Sequence, residues 1–200
     1  MLVLASASPR RQELLRNAGI AFTVYPANIP EVPSPGENPR ECAERLAREK
    51  ALAVSLQRPA DVVLGADTIV VVDGEILGKP GDTVDAMRML RLLSGRTHQV
   101  ITGVCLAGPS LRTGNQKLET GFNKTSSETT LVTMTKLTEE DIRSYVATGE
   151  PMDKAGAYAI QGMASRWIPH IHGDYFNVVG LPVALVFRML REHGLAGREI

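Results

Sequence analysis

Ser6-Ala7-Ser8-Pro9-Arg10-Arg11 stands between the apolar run Leu2-Val3-Leu4-Ala5 and the helical pattern Gln12-Glu13-Leu14-Leu15-Arg16, which stops at Gly19. The order predicts a buried strand, a hydroxyl-rich turn, and a helix with Pro9 in its first turn. Proline suits that place because it lacks an N–H that the first helical turn leaves unused. Free N–H groups and the positive end of the helix dipole make the junction suitable for an anion. Ser6, Ser8, Arg10 and Arg11 beside it favour a phosphate over a carboxylate. Taken alone, the hexapeptide is equally well explained as a capped turn with two solvated arginines.

Working outward, the chain of 200 residues is long enough for one large domain or two small lobes around a cleft. Its formal net charge is zero, which gives no bulk attraction to nucleic acid. Aromatic residues make up only 4% of it, too few for a stacking surface that grips single strands. Cys42 and Cys105 are far apart and form no metal-type spacing, so a reducing compartment is expected. Met1 leads straight into a strand, and no apolar run approaches a membrane span. The expectation is a cytoplasmic protein with no nucleic-acid and no membrane partner.

A strand is expected at Ile20–Tyr25, then a Pro-rich loop over 26–39 with Glu31 at its centre. Asn38-Pro39-Arg40-Glu41 opens a helix, with Asn38 as cap and Pro39 at its first position. Lys50 falls at or near its apolar face, set by Ala43, Leu46 and Ala47. Either it snorkels or its ammonium enters a cleft. Asp61–Asp67 reads as a strand with a carboxylate at its C-terminal end, a frequent place for metal ligands. A cap is the plainer account of Asp67. Asp73-Gly74 is a hairpin turn, and Gly78-Lys79-Pro80 holds Lys79 on a tight one.

Downstream, a helix from Asp82 ends at Ser94-Gly95 and a strand runs from His98 to Leu106. Gly108–Asn115 reads as a loop, and 117–135 as a strand pair broken near Lys124-Thr125-Ser126. A helix from Thr138 to Thr148 precedes the polar stretch Glu150–Gly162. There Asp153 and Lys154 are adjacent and would point apart if extended. Trp167 to Ile171 is expected as a short strand, Gly173–Asn177 as a turn, and a last helix from Gly180 to His193. No repeat or long linker is present, so two lobes would be interleaved within a single domain over 1–200.

Arg10, Arg11, Lys50, Lys79 and Lys154 can neutralise a polyphosphate. Glu31, Asp67 and Asp153 can hold Mg²⁺ and orient or deprotonate a water. That combination suits hydrolysis at phosphorus. Acyl chemistry lacks a GxSxG elbow, and zinc hydrolysis lacks HExxH. A non-catalytic nucleotide binder uses the same basic groups.

Ser6–Arg11, Ala66-Asp67-Thr68, Gly78-Lys79-Pro80, Leu93-Ser94-Gly95, Asp153–Gly162 and Asn177–Pro182, in this order, resemble the Maf family. The resemblance implies an α/β fold of the inosine-triphosphatase type, with a long twisted mixed sheet flanked by helices and two lobes around a central cleft. It implies a homodimer that cleaves nucleoside triphosphates to monophosphate and pyrophosphate with a divalent ion, Mg²⁺ or Mn²⁺. By position, Ser6, Ser8, Arg10, Arg11, Lys50, Lys79 and Lys154 would hold phosphates. Glu31 and Asp67 would hold the metal, and Asp67, Glu31, Lys50 and Lys79 would form the catalytic set. Asp153 would complete the polar wall.

Within the family, Thr68 after Asp67, Gln161 before Gly162, and an arginine of the double-arginine turn, Arg11, resemble the branch that takes dTTP and UTP. A Gln amide offers both donor and acceptor to a pyrimidine edge. The alternatives are the 7-methyl-GTP branch and a nucleotide-binding regulator of cell division. The stretch before Glu31, Asn28-Ile29-Pro30, lacks acidic residues that relatives carry there.

Overall fold

The computed structural model describes residues 1–109 and 121–195. The expected loop at Gly108–Asn115 and the start of the strand pair at 117 fall largely outside them. The elements run β1 (Leu2–Leu4), α1 (Pro9–Asn17), β2 (Thr23–Val24), α2 (Pro39–Ser55), β3 (Val62–Val72), β4 (Glu75–Leu77), α3 (Thr83–Leu93) and β5 (Thr97–Gly108). They continue as β6 (Phe122–Thr133), α4 (Glu139–Ala147), β7 (His170–His172), α5 (Tyr175–Val179) and α6 (Val183–Glu192). The strand order is β2-β1-β3-β5-β6-β7, with β4 paired to β3. β1 pairs in parallel with β2 and β3, whereas β3–β4 and β6–β7 are antiparallel. The fold is α/β, with a mixed sheet and helices.

The chain divides into two compact units. The first comprises Met1–Asp67, Thr102–Glu128 and Gly180–Ile200, and the second Thr68–Ile101 and Thr129–Val179.

In the first unit, buried Val3, Ala5, Ala47, Ala51, Val63 and Cys105 form one core. Its small residues let α2 lie close on the sheet. A Cβ on Gly65 of β3 would sit 2.2 Å from the Ala47 carbonyl oxygen, and one on Gly103 of β5 would sit 2.2 Å from that of Ala43. Glycine at 65 and 103 therefore fixes how near the helix backbone can come to β3 and β5. Asn38 caps α2 by accepting from the Arg40 N–H at 2.9 Å, with Pro39 at the first position.

In the second unit, Val70, Leu77, Leu90, Met134, Tyr145 and Trp167 belong to the main core. Asp73 and Gly74 both have positive φ (50° and 82°), the backbone of a two-residue hairpin turn, and they join β3 to β4. Thr138 and Asp141 close a capping box on α4.

Several expectations are corrected. β3 does not stop at Asp67: Thr68-Ile69-Val70 are β-formers with no turn residue among them, so Asp67 lies mid-strand. The boundary between the units falls between Asp67 and Thr68. No break occurs near Lys124. Thr125 to Thr130 carry β-favouring threonines without Gly or Pro, and β6 is continuous. Trp167 ends a 3₁₀ turn (Met163–Trp167), and β7 begins only at His170. The expected turn at Gly173–Asn177 is largely α5, started by the Asp174 carboxylate, which accepts from the Phe176 N–H at 2.8 Å. β2 keeps only Thr23–Val24 of its expected span.

Candidate functional site

The Ser6–Arg11 turn is built from its own side chains. Ser6 Oγ accepts from the Ser8 N–H at 3.2 Å and from Arg11 Nη1 at 3.2 Å. Ser8 caps α1, with its Oγ 3.5 Å from the Arg11 N–H. Arg11 Nε donates to the Gly180 carbonyl at 2.8 Å, which ties the turn to the segment before α6. Burial works against the Arg11 charge, and the nearby carboxylates Asp67 and Glu31 support it. Ser6 is buried, and Ser8 and Arg10 are half-buried.

Lys50 is buried on α2, and its ammonium lies between two carboxylates. It is 2.6 Å from Asp67 Oδ1 and 2.6 Å from Glu31 Oε1. The close seat of α2 on Gly65 brings this about. Ala47 and Ala51 press on Gly65, and Lys50 lies between them in sequence and reaches Asp67 two residues further along β3. Of the two Lys50 readings, the ammonium does not snorkel to solvent. Glu31 is held in turn through its neighbours. Arg45 Nη2 donates to the Val32 carbonyl at 3.1 Å, and Arg45 forks onto Glu37 at 2.7 and 2.8 Å. That fork holds the Glu37 carboxyl down at about 2. The first unit thus brings together Ser6, Ser8, Arg11, Glu31, Lys50 and Asp67.

Thr68, Lys79, Asp153, Lys154 and Gln161 belong to the second unit. The Gly156 N–H donates to the Gly78 carbonyl at 3.0 Å, which ties the exposed Lys79 turn to the segment after Lys154. Gly156 has φ +67°, and a Cβ there would meet Val70 at 2.9 Å. Asp153 and Lys154 do not point apart: Lys154 Nζ is 2.5 Å from Asp153 Oδ1 and donates to the Glu150 carbonyl at 2.6 Å. The backbone explains the difference, because Glu150–Asp153 is a 3₁₀ turn rather than an extended stretch. Gln161 is exposed on a turn closed by the Gly162 N–H on the Ala159 carbonyl at 3.1 Å. His98 is structural: buried, 2.7 Å from the Tyr158 hydroxyl, and pushed down to about 4 by burial.

Among the described residues there is no group of three or more His, Cys, Asp or Glu placed to hold a metal. The convergent pair Glu31 and Asp67 still supplies hard oxygen donors around a point that a cation occupies, the Lys50 ammonium. Two carboxylates suit Mg²⁺ where substrate phosphates complete the shell.

The family model "Maf-like protein" matches residues 1–193. The chain belongs to the Maf family. A protein of Koribacter versatilis named dTTP/UTP pyrophosphatase is 57% identical over 194 residues, covering 97% of this chain and 95% of the relative. Proteins of the same name from Symbiobacterium thermophilum and Geobacter metallireducens are 52% and 50% identical, each over 193 residues, covering 96% of this chain and 94% and 96% of theirs.

The Maf match spans the turn, the Lys50 pair and the Gln161 segment alike. Among the described residues, no helix of this Maf chain is long and apolar enough to cross a membrane. Reading residues by type misses Arg45, Glu37 and the Gly180 carbonyl. A second carboxylate in the Pro-rich loop, Glu37, was the available signal for the Arg45 fork. A backbone carbonyl leaves none.

Proposed function

We propose that this Maf chain hydrolyses dTTP and UTP to the nucleoside monophosphate and pyrophosphate. The observation that carries the reading is the Lys50 ammonium held between the buried Asp67 and the exposed Glu31, within the electrostatic reach of Arg11. The dTTP/UTP choice rests on the activity for which relatives at 50–57% identity are named.

A water attacks the α-phosphorus. Its oxygen forms the new P–O bond, the bond from the α-phosphorus to the bridging oxygen breaks, and pyrophosphate leaves. Asp67 takes the proton of the attacking water. Lys50 and Arg11 stabilise charge that builds on the phosphoryl oxygens, and Ser6, Ser8 and Arg10 bind phosphate at the α1 terminus. Lys79 and Lys154 add positive charge for the phosphates, with Asp153 holding Lys154. Thr68 and Gln161 read the base. Mg²⁺ or Mn²⁺, held by Glu31 and Asp67 when bound, would neutralise phosphate charge. The working form is a cytoplasmic homodimer, which light scattering on the purified chain tests.

A panel of triphosphates with Mg²⁺ and with Mn²⁺, scoring pyrophosphate separately from phosphate, tests the reaction. Rapid pyrophosphate release from dTTP and UTP is expected. Release chiefly from 7-methyl-GTP would keep the chemistry and refute the base assignment. Tight nucleotide binding without turnover would refute the enzyme.

A further inference from the structure

We infer that Glu150 is the positioning residue of the Gln161 turn and, acting with Tyr145, sets how sharply the site distinguishes pyrimidine bases. The inference rests on Gln161 being the base-reading group. Gln161 sits on a four-residue turn, Ala159 to Gly162, with its side chain exposed and one backbone bond across it. Such a turn, left to itself, does not hold an amide to the few tenths of an ångström that base reading needs.

Both ends of this turn hang from one carboxylate. At the far end the Met163 N–H donates to Glu150, 3.2 and 3.3 Å from its two oxygens. At the near end the Ala159 N–H donates to the Tyr145 hydroxyl at 3.2 Å, and that hydroxyl donates to Glu150 Oε1 at 2.8 Å. The carboxylate also packs closely on Gly162, the residue after Gln161: a Cβ there would fall 2.0 Å from Oε1. The anchor is itself rigid. Tyr145 is fully buried with its ring edge-on to Trp167, and burial and Glu150 raise its hydroxyl well above the ordinary range, so it stays a donor. Glu150 opens the 3₁₀ turn Glu150–Asp153, and its own N–H donates to Thr148 Oγ1 at 3.2 Å. Its backbone carbonyl receives Lys154, so one residue holds both the Gln161 turn and a phosphate-binding lysine.

UTP and CTP share sugar, phosphates and shape, and differ in the donors and acceptors of the base edge. A displaced Gln161 amide therefore changes their ratio of kcat/KM, whereas a general loosening lowers both together. Glu150→Ala removes the acceptor of two donors; Tyr145→Phe removes only the relay to Ala159 and keeps the packed ring. Glu150→Gln keeps an oxygen able to accept from both. The experiment measures kcat and KM for UTP and CTP in these variants and in Gln161→Ala, with circular dichroism to confirm folding. The UTP/CTP ratio is expected to fall roughly tenfold in Glu150→Ala and about threefold in Tyr145→Phe, and to return to within about twofold of wild type in Glu150→Gln. The loss appears as a raised KM for UTP. A wild-type ratio in Tyr145→Phe and in folded Glu150→Ala, with the ratio lost in Gln161→Ala, overturns the positioning role alone. A wild-type ratio in Gln161→Ala overturns the base-reading assignment and this inference with it.

Discussion

Replacing Lys50 by Met tests whether the Asp67–Lys50–Glu31 arrangement is a buried charge cluster. Methionine keeps the length and apolar stem of lysine, so packing against α2 changes little. What disappears is the ammonium, and Asp67 loses its partner at 2.6 Å. The side chains of Lys50 and Asp67 are only 7% and 8% exposed, whereas Glu31 is 39% exposed and can turn to water. The penalty is therefore mostly that of one stranded carboxylate. Breaking a buried pair on one side costs about 3–5 kcal/mol. The Arg11 charge still acts on Asp67, which places the expected loss near the lower end, about 3 kcal/mol. Lys50→Met/Asp67→Asn has no stranded charge and should recover much of that loss, a coupling on the order of 2 kcal/mol. Urea unfolding of wild type, both single variants and the double variant measures it. A loss below about 1 kcal/mol in Lys50→Met, with the two single effects simply adding, refutes the buried pair.

Asp67→Asn keeps an oxygen for Lys50 but cannot take a proton; pyrophosphate release should fall roughly 10²–10⁴-fold while nucleotide binding, followed by calorimetry, largely survives. Gly65→Ala forces a Cβ to 2.2 Å from the Ala47 carbonyl, and overpacking of this kind costs about 1–3 kcal/mol or more. Because α2 must lift, its melting temperature and its turnover should fall together, and a stable variant with full activity would contradict the close seat. His98 is neutral in the fold and pushed down to about 4. The unfolded chain binds its proton below about pH 6.5, so this group makes stability fall as pH drops from about 6.5 to about 4, by about 3 kcal/mol in all. His98→Gln should remove that slope in unfolding curves taken across the window; an unchanged slope would show that His98 does not carry it.

Much of the first unit is legible locally. Ser8 and Pro9 announce α1 within one turn of chain, and Asn38-Pro39 does the same for α2, because caps act over two or three residues. Lys50 is conspicuous for breaking an apolar face, and in the second unit Asp73-Gly74 fixes its hairpin through φ alone. Asp67 is legible as a carboxylate in a β-rich run but not as a mid-strand one, since how far β3 runs past it depends on its partners there, β4 along Val70 to Val72 and the distant β5. The Asp153–Lys154 contact depends on a 3₁₀ turn that Glu150-Pro151 does not signal as clearly as a cap would. Arg45 and Glu37, eight residues apart, and Tyr145 and Ala159, fourteen apart, look like ordinary surface and core residues until the backbone brings them together.

The bond from Arg11 to the Gly180 carbonyl spans 169 residues. At ribosomal rates of about 5–20 residues per second, roughly 10–30 s separate the synthesis of its two ends. The Ser/Arg turn is therefore synthesised well before the segment that fastens it. Nascent chains halted before Gly180 would carry the turn's sequence without its anchor, and a protease should find that turn cuttable until the last helix has been made.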